Sequence, residues 1–135
     1  ADEILTAIHV PKAQARERVA AYKISKRFDQ DISAICLALR LGFADGTVQS
    51  ARIGAGSISG VPARARNTEA ALVGQPWNEA TVLRAIDIIR HEFQPTTGVR
   101  ASASYRRQVT GNLLQRFWLE SQPVPVLTNL ERGGL

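Results

Sequence analysis

Five charged side chains within nine residues, Lys23, Lys26, Arg27, Asp29 and Asp31, are the part of this chain best placed to do chemistry. They fall in the run Tyr22-Lys23-Ile24-Ser25-Lys26-Arg27-Phe28-Asp29-Gln30-Asp31-Ile32, directly before an apolar stretch where a charge needs a specific partner or water. Two readings stand side by side. In one, the cations and carboxylates neutralise each other in a salt-bridged surface turn. In the other, the loop faces an electron-accepting or phosphate-bearing cofactor, and a lysine stabilises the negative charge that appears on reduction.

Other candidates carry less. Gly54-Ala55-Gly56-Ser57-Ile58-Ser59-Gly60 has the glycine content of a phosphate-cradling loop. A dinucleotide fingerprint, however, needs a parallel βαβ unit with a helix opening on the last glycine, and here Val61-Pro62 follows. A tight bend or close domain contact is the better reading. His9 and His91 are the two histidines, and neither has a second ligand at metal-binding spacing. His91 falls off the apolar stripe of its predicted helix, which suits an exposed side chain. No Gly-x-Ser-x-Gly elbow supports a serine nucleophile. The single cysteine, Cys36, alternates with alanines, the setting of an inert thiol; one thiol excludes an internal disulfide and an iron-sulfur cluster held by this chain alone.

The elements that must position these residues follow from periodicity. Ile4, Leu5, Ile8 and Val10 suggest a short strand over residues 3–10, stopped by Pro11. Residues 19–24 are largely apolar and lead into the charged loop. Ser33, Ile35, Leu37, Leu39, Leu41 and Phe43 alternate with Ala34, Cys36, Ala38 and Arg40, as in a strand with a large-residue face and a small-residue face, both expected to be covered. Asp45-Gly46 then turns the chain into residues 47–53 as an antiparallel hairpin. Asn67 or Thr68 can cap a short helix over residues 69–73, ended by Gly74 and Pro76. Val82, Ala85, Ile86, Ile89 and Phe93 form one helical stripe. A second long helix is expected over residues 102–120, with Ala103, Val109, Leu113, Leu114 and Phe117 inward; Gly111 argues against it locally, and Arg106 on the apolar side needs a partner. Strands followed by helices predict an α+β domain, an antiparallel sheet with a long hairpin packed by helices on one face.

Composition bounds the function. The chain has 135 residues, 44% of them hydrophobic and 21% charged, which suits one globular domain with its own core. No apolar run approaches the roughly 20 residues of a membrane span, and residues 1–3 do not resemble a signal peptide. The net charge of +5 comes from 17 basic residues spread from Lys12 to Arg132 without a dense block, so a solvated surface is favoured over a nucleic-acid site. The chain contains no methionine, and an initiator clipped from before Ala1 and a piece of something longer fit this equally well.

Several segments in order carry a resemblance: Tyr22 to Ile32 as quoted, Ala51-Arg52-Ile53, Pro62 with Arg64-Ala65, Thr68-Glu69-Ala70-Ala71-Leu72 with Gly74, and Arg100-Ala101-Ser102-Ala103-Ser104-Tyr105-Arg106-Arg107 running on to Gly111, Leu113-Leu114 and Arg116. The chain resembles the C-terminal domain of the flavin-binding part of molybdenum hydroxylases, with the small subunit of bacterial xanthine dehydrogenase as the nearest branch. The Lys-Arg-Phe-Asp-Gln-Asp-Ile-Ser run is its specific part, since the related carbon monoxide dehydrogenase flavoproteins usually carry an Arg-x-Gly-Asp type of sequence there.

The resemblance implies a redox role. In that family purine is hydroxylated at a molybdenum cofactor on a large subunit, electrons pass through two iron-sulfur clusters, and FAD hands them to NAD. Carried over by position, the family's flavin contacts fall on Leu5, as an apolar wall, and on Lys23, as a positive charge. The loop of residues 24–31, with Asp29 and Gln30, is implied to lie beside the ring and tune its potential. Two departures stand out. Ala55-Gly56-Ser57-Ile58-Ser59 replaces the usual Phe-Gly-Gly-Met-Ala, and Gln30 stands where some relatives carry an acid. The implied partners are upstream FAD-binding and iron-sulfur domains, the molybdenum-binding large subunit and NAD, in a cytoplasmic enzyme. Residues 1–120 are expected to form the domain and residues 121–135 an irregular tail. The alternative is a subunit-docking interaction domain without direct flavin contact.

Overall fold

A computed structural model of the chain describes residues 2–27, 31–124 and 126. Strands β1 (Glu17–Ile24), β2 (Ile35–Ala44), β3 (Thr47–Gly56) and β4 (Ala63–Arg64) form one antiparallel sheet in the order β1-β2-β3-β4. Helices α1 (Arg66–Leu72), α2 (Glu79–Glu92) and α3 (Ala103–Leu119) follow. The expected α+β class, the long hairpin and the helices on one face are all present.

The hairpin turns where the sequence asks it to. Asp45 and Gly46 both take positive φ, at 49° and 73°, which matches the right-handed twist of the paired strands. Beyond the turn the register shifts between Gly42 and Phe43, so that Phe43 pairs with Val48 while Gly42 pairs with Ser50. The bulge places Val48 on the same buried face as Ala51 and Ile53, which alternation alone would not allow.

Ile35, Leu37, Leu39 and Leu41 of β2 are fully buried and meet the stripes of α2 and α3. All five residues of the expected α2 stripe are buried, as are Leu113, Leu114 and Phe117 of α3. Trp77 joins the layers, with its ring 5.7 Å from Phe43 and 6.0 Å from Phe117. Gly111 turns out to serve the packing: a Cβ there would lie 2.5 Å from Arg90 Nε and 3.1 Å from Ile86 Cγ2, so its absence lets α2 and α3 approach closely. Arg106 finds the partners its place required, because Nη1 donates to the carbonyls of Ala34, at 2.6 Å, and of Ser57.

Three expectations need correction. Residues 3–10 form no strand: they carry no ladder, and Ile4, Leu5, Ile8 and Val10 stand exposed. A short apolar run pairs only where a neighbouring strand is available, and local pattern does not contain that information. The small-residue face of β2 is also open, with Ala38 exposed, because every helix lies on the other side. Finally, α1 begins at Arg66, and its N-cap residue Ala65 makes no side-chain cap. Its cap comes instead from α2, where the Glu92 carboxylate accepts from the amides of Asn67 (2.7 Å) and Thr68 (3.0 Å) and from the Thr68 hydroxyl (2.5 Å).

Candidate functional site

The open face of the sheet presents Lys23 among small neighbours. In register, Lys23 lies beside Cys36, and Cys36 beside Gly56; the adjacent row is Ala21, Ala38 and Gly54. A third row sets Val19 beside Arg40 and Arg52. Alternation explains this face, since Tyr22, Ile35, Leu37, Leu39, Leu41 and Ile53 of the same strands point into the core. Lys23 is exposed and makes no ion pair with any described residue. A flat group can therefore approach the backbone here closely, beside an uncompensated ammonium.

The charged loop does not act as one cluster. Lys26 Nζ donates to the Val99 carbonyl at 2.7 Å and so ties the loop to the segment before α3. Arg27 pairs with Asp31 at 3.7 Å. Burial pushes the Asp31 carboxyl up, but the amides of Arg27 and Ile32 and the charges of Arg27 and Arg100 outweigh it and hold the pKa below its ordinary value. Part of the salt-bridged-turn reading thus holds for Arg27 and Asp31, while Lys23 stands apart on the sheet. Asp29 and Gln30 lie outside the described residues. Leu5 lies in the exposed leading segment, 79% exposed, and takes no part in the core.

Two groups that sequence reasoning had not singled out for a role stiffen this sheet. Glu69 is buried and accepts from the Ile53 amide at 2.7 Å and from Arg64 Nε at 3.0 Å, which pins α1 to β3 and β4. Tyr22 donates to Glu120 Oε2 at 2.6 Å, and its ring lies 4.7 Å beneath the Arg116 guanidinium. Burial, then the Glu120 carboxylate, push the Tyr22 hydroxyl pKa well above its ordinary value. The signal for Glu69 was its place on the same helical face as Ala65 and Leu72; for Tyr22 and Glu120, 98 residues apart, no local signal exists. Among the described residues no group of His, Cys, Asp or Glu is arranged to hold a metal ion. No helix among them is long and apolar enough to cross a membrane.

Residues 20–121 match the family described as the CO dehydrogenase flavoprotein C-terminal domain. A nicotinate hydroxylase of Emericella nidulans is 35% identical over 117 residues, which is 83% of this chain and 9% of that protein. A xanthine dehydrogenase of the same fungus is 31% identical over 121 residues, 87% of this chain and again 9% of the relative. Among solved structures, a carbon monoxide dehydrogenase from Hydrogenophaga pseudoflava superposes with a TM-score of 0.72 at 28% identity, covering 79% of this chain and 37% of that one. The quinoline 2-oxidoreductase of Pseudomonas putida 86 shares the fold, with a TM-score of 0.68 at 21% identity over 78% of this chain and 36% of its own. The chain thus spans a small part of each relative it matches.

Proposed function

Because this chain belongs to the CO dehydrogenase flavoprotein C-terminal domain family, which forms part of the flavin-binding portion of molybdenum hydroxylases, we propose that it helps to hold FAD in a xanthine dehydrogenase. The observation that carries this reading is Lys23, an exposed ammonium without a carboxylate partner among the described residues, on a sheet face of Ala21, Cys36, Ala38, Gly54 and Gly56. A planar ring fits such a surface, and a cation beside it favours the reduced, more negative form. The flavin would supply two-electron chemistry, taking electrons released by purine hydroxylation and passing them to NAD. This chain would contribute one wall: Lys23 as charge, Leu5 as an apolar contact, and Asp29 and Gln30 from the adjoining loop.

On this reading the rest of the flavin site, the iron-sulfur domains and the molybdenum-binding large subunit lie elsewhere in a cytoplasmic complex. Residues 1–120 act as the domain and residues 121–135 as a tail. Alone, the chain is inactive. A second reading, a docking domain without flavin contact, is favoured by the exposed side chains of Ile4, Leu5, Ile8 and Val10. Flavin content separates the two. In the intact parent enzyme, Lys23→Ala is expected to lower the FAD:protein ratio after gel filtration. Full retention in Lys23→Ala, together with loss of subunit association on substituting Ile8 and Val10 by serine, would favour docking.

A further inference from the structure

At the end of the sheet opposite the Asp45-Gly46 turn, the entry to β2, the exit of β3 and the segment before α3 enclose a polar cavity of about 200 Å³. Ser33, Ser57, Ser59, Thr96, Arg100 and Arg106 supply its polar lining, and no carboxylate is among the lining residues. Ser59 donates to the Val61 carbonyl at 2.7 Å. The hydroxyls of Ser33, Ser57 and Thr96 and the guanidinium of Arg100 have no hydrogen-bond partner among the described residues. Asp31 feels the charge of Arg100, but its own oxygens accept from the Arg27 and Ile32 amides. Arg106 is held by the Ala34 and Ser57 carbonyls through Nη1 alone, and its buried Nε has no partner. Ser57, at φ 60°, takes the left-handed backbone that lets its carbonyl meet Arg106.

We infer that this cavity is a binding site for a phosphate group. Two guanidiniums on separate segments, with hydroxyls between them, offer more donors than a carboxylate can use and suit the several oxygens of a tetrahedral anion. The volume admits such an anion and the first atoms of whatever carries it. Neither Lys23 nor flavin enters this inference, so it stands apart from the function proposed above. The phosphate can arrive free or as part of a nucleotide, and the two sources share the same recognition chemistry.

Titration of the 135-residue chain with inorganic phosphate and, separately, with ADP, followed by amide chemical shifts, tests the site. Saturable shifts at Ser33, Ser57 and Arg100, on the order of millimolar, are expected with at least one probe. Saturation by inorganic phosphate identifies a free-phosphate site, and saturation by ADP alone identifies a nucleotide-borne one. Arg100→Gln is expected to weaken the binding about tenfold, as for loss of one charge-assisted contact. Lys12→Gln, a charge loss in the exposed leading segment, is expected to leave it unchanged. Arg106 is left intact because it also ties β2 to β3, and Ser33→Ala, which removes a hydroxyl with no partner among the described residues, serves as the second variant, with a smaller loss. Absence of saturation with both probes, equal affinity in Arg100→Gln, or equal weakening in Lys12→Gln would overturn the inference.

Discussion

Glu69 shows what one buried carboxylate does for this sheet. It satisfies the Ile53 amide, which has no strand partner at that point, and it holds Arg64 against the end of β3. Burial alone would raise its pKa, yet the hydrogen bonds from Arg64 and Ile53 and the charges of Arg64 and Arg52 hold it below its ordinary value of 4.5. A lowered carboxyl binds fewer protons in the folded than in the unfolded chain. Its stabilisation is therefore present above 4.5 and disappears as pH falls through the folded value. Glu69→Ala leaves the amide and the guanidinium without their acceptor and is expected to cost about 2–3 kcal/mol at pH 7. Urea melts of both proteins from pH 7 to pH 3 should show this difference shrinking as the pH drops below 4.5. A constant difference would mean that Glu69 acts by packing and not by charge.

Individual elements show how much was legible beforehand. The period of two across Ile35, Leu37, Leu39 and Leu41, the Asp45-Gly46 turn and the stripe from Val82 to Phe93 all report a local pattern, and the folded chain follows it. What escaped was set by contacts distant in sequence. Ile4, Leu5, Ile8 and Val10 have the composition of a strand but no neighbour to pair with, and the α1 cap sits on Glu92, 24 residues beyond Thr68. At the candidate site, Lys23 and its strand were readable, but its separation from Lys26 and Arg27 was not, because alternation puts Lys23 on the sheet face while Lys26 reaches Val99. Two substitutions test these element contacts by thermal unfolding. Glu92→Ala removes the shared cap and should lower stability by about 1–2 kcal/mol. Gly111→Ala gains up to ~1 kcal/mol of helix propensity, but the new Cβ would press within 3.0 Å of Arg90 Cγ as well as on Nε. Overpacking of about 1–3 kcal/mol exceeds that gain, so a net loss is expected; a raised melting temperature would show that the two helices can part at no cost.

As a whole, the molecule is a sheet with one face closed by helices and the other leaving Lys23 exposed. Its core of β2, β3, α2 and α3 is one continuous cluster of the chain's own buried side chains, so the chain should fold without flavin. One wall of a site does not bind a dinucleotide tightly, since the ordering cost must still be overcome by contacts it lacks. Flavin fluorescence titration of the isolated chain should therefore show no submicromolar complex. Saturable binding at that level would place a complete FAD site within these 135 residues. The most direct test of the flavin reading is the flavin reduction potential in the intact parent, compared among the natural enzyme, Lys23→Arg and Lys23→Ala. An ammonium beside the ring stabilises the reduced form, so its removal should lower the two-electron potential by on the order of tens of millivolts, and arginine should restore most of it. Equal potentials in all three proteins, with full flavin content, would show that Lys23 does not face the flavin and would contradict the account.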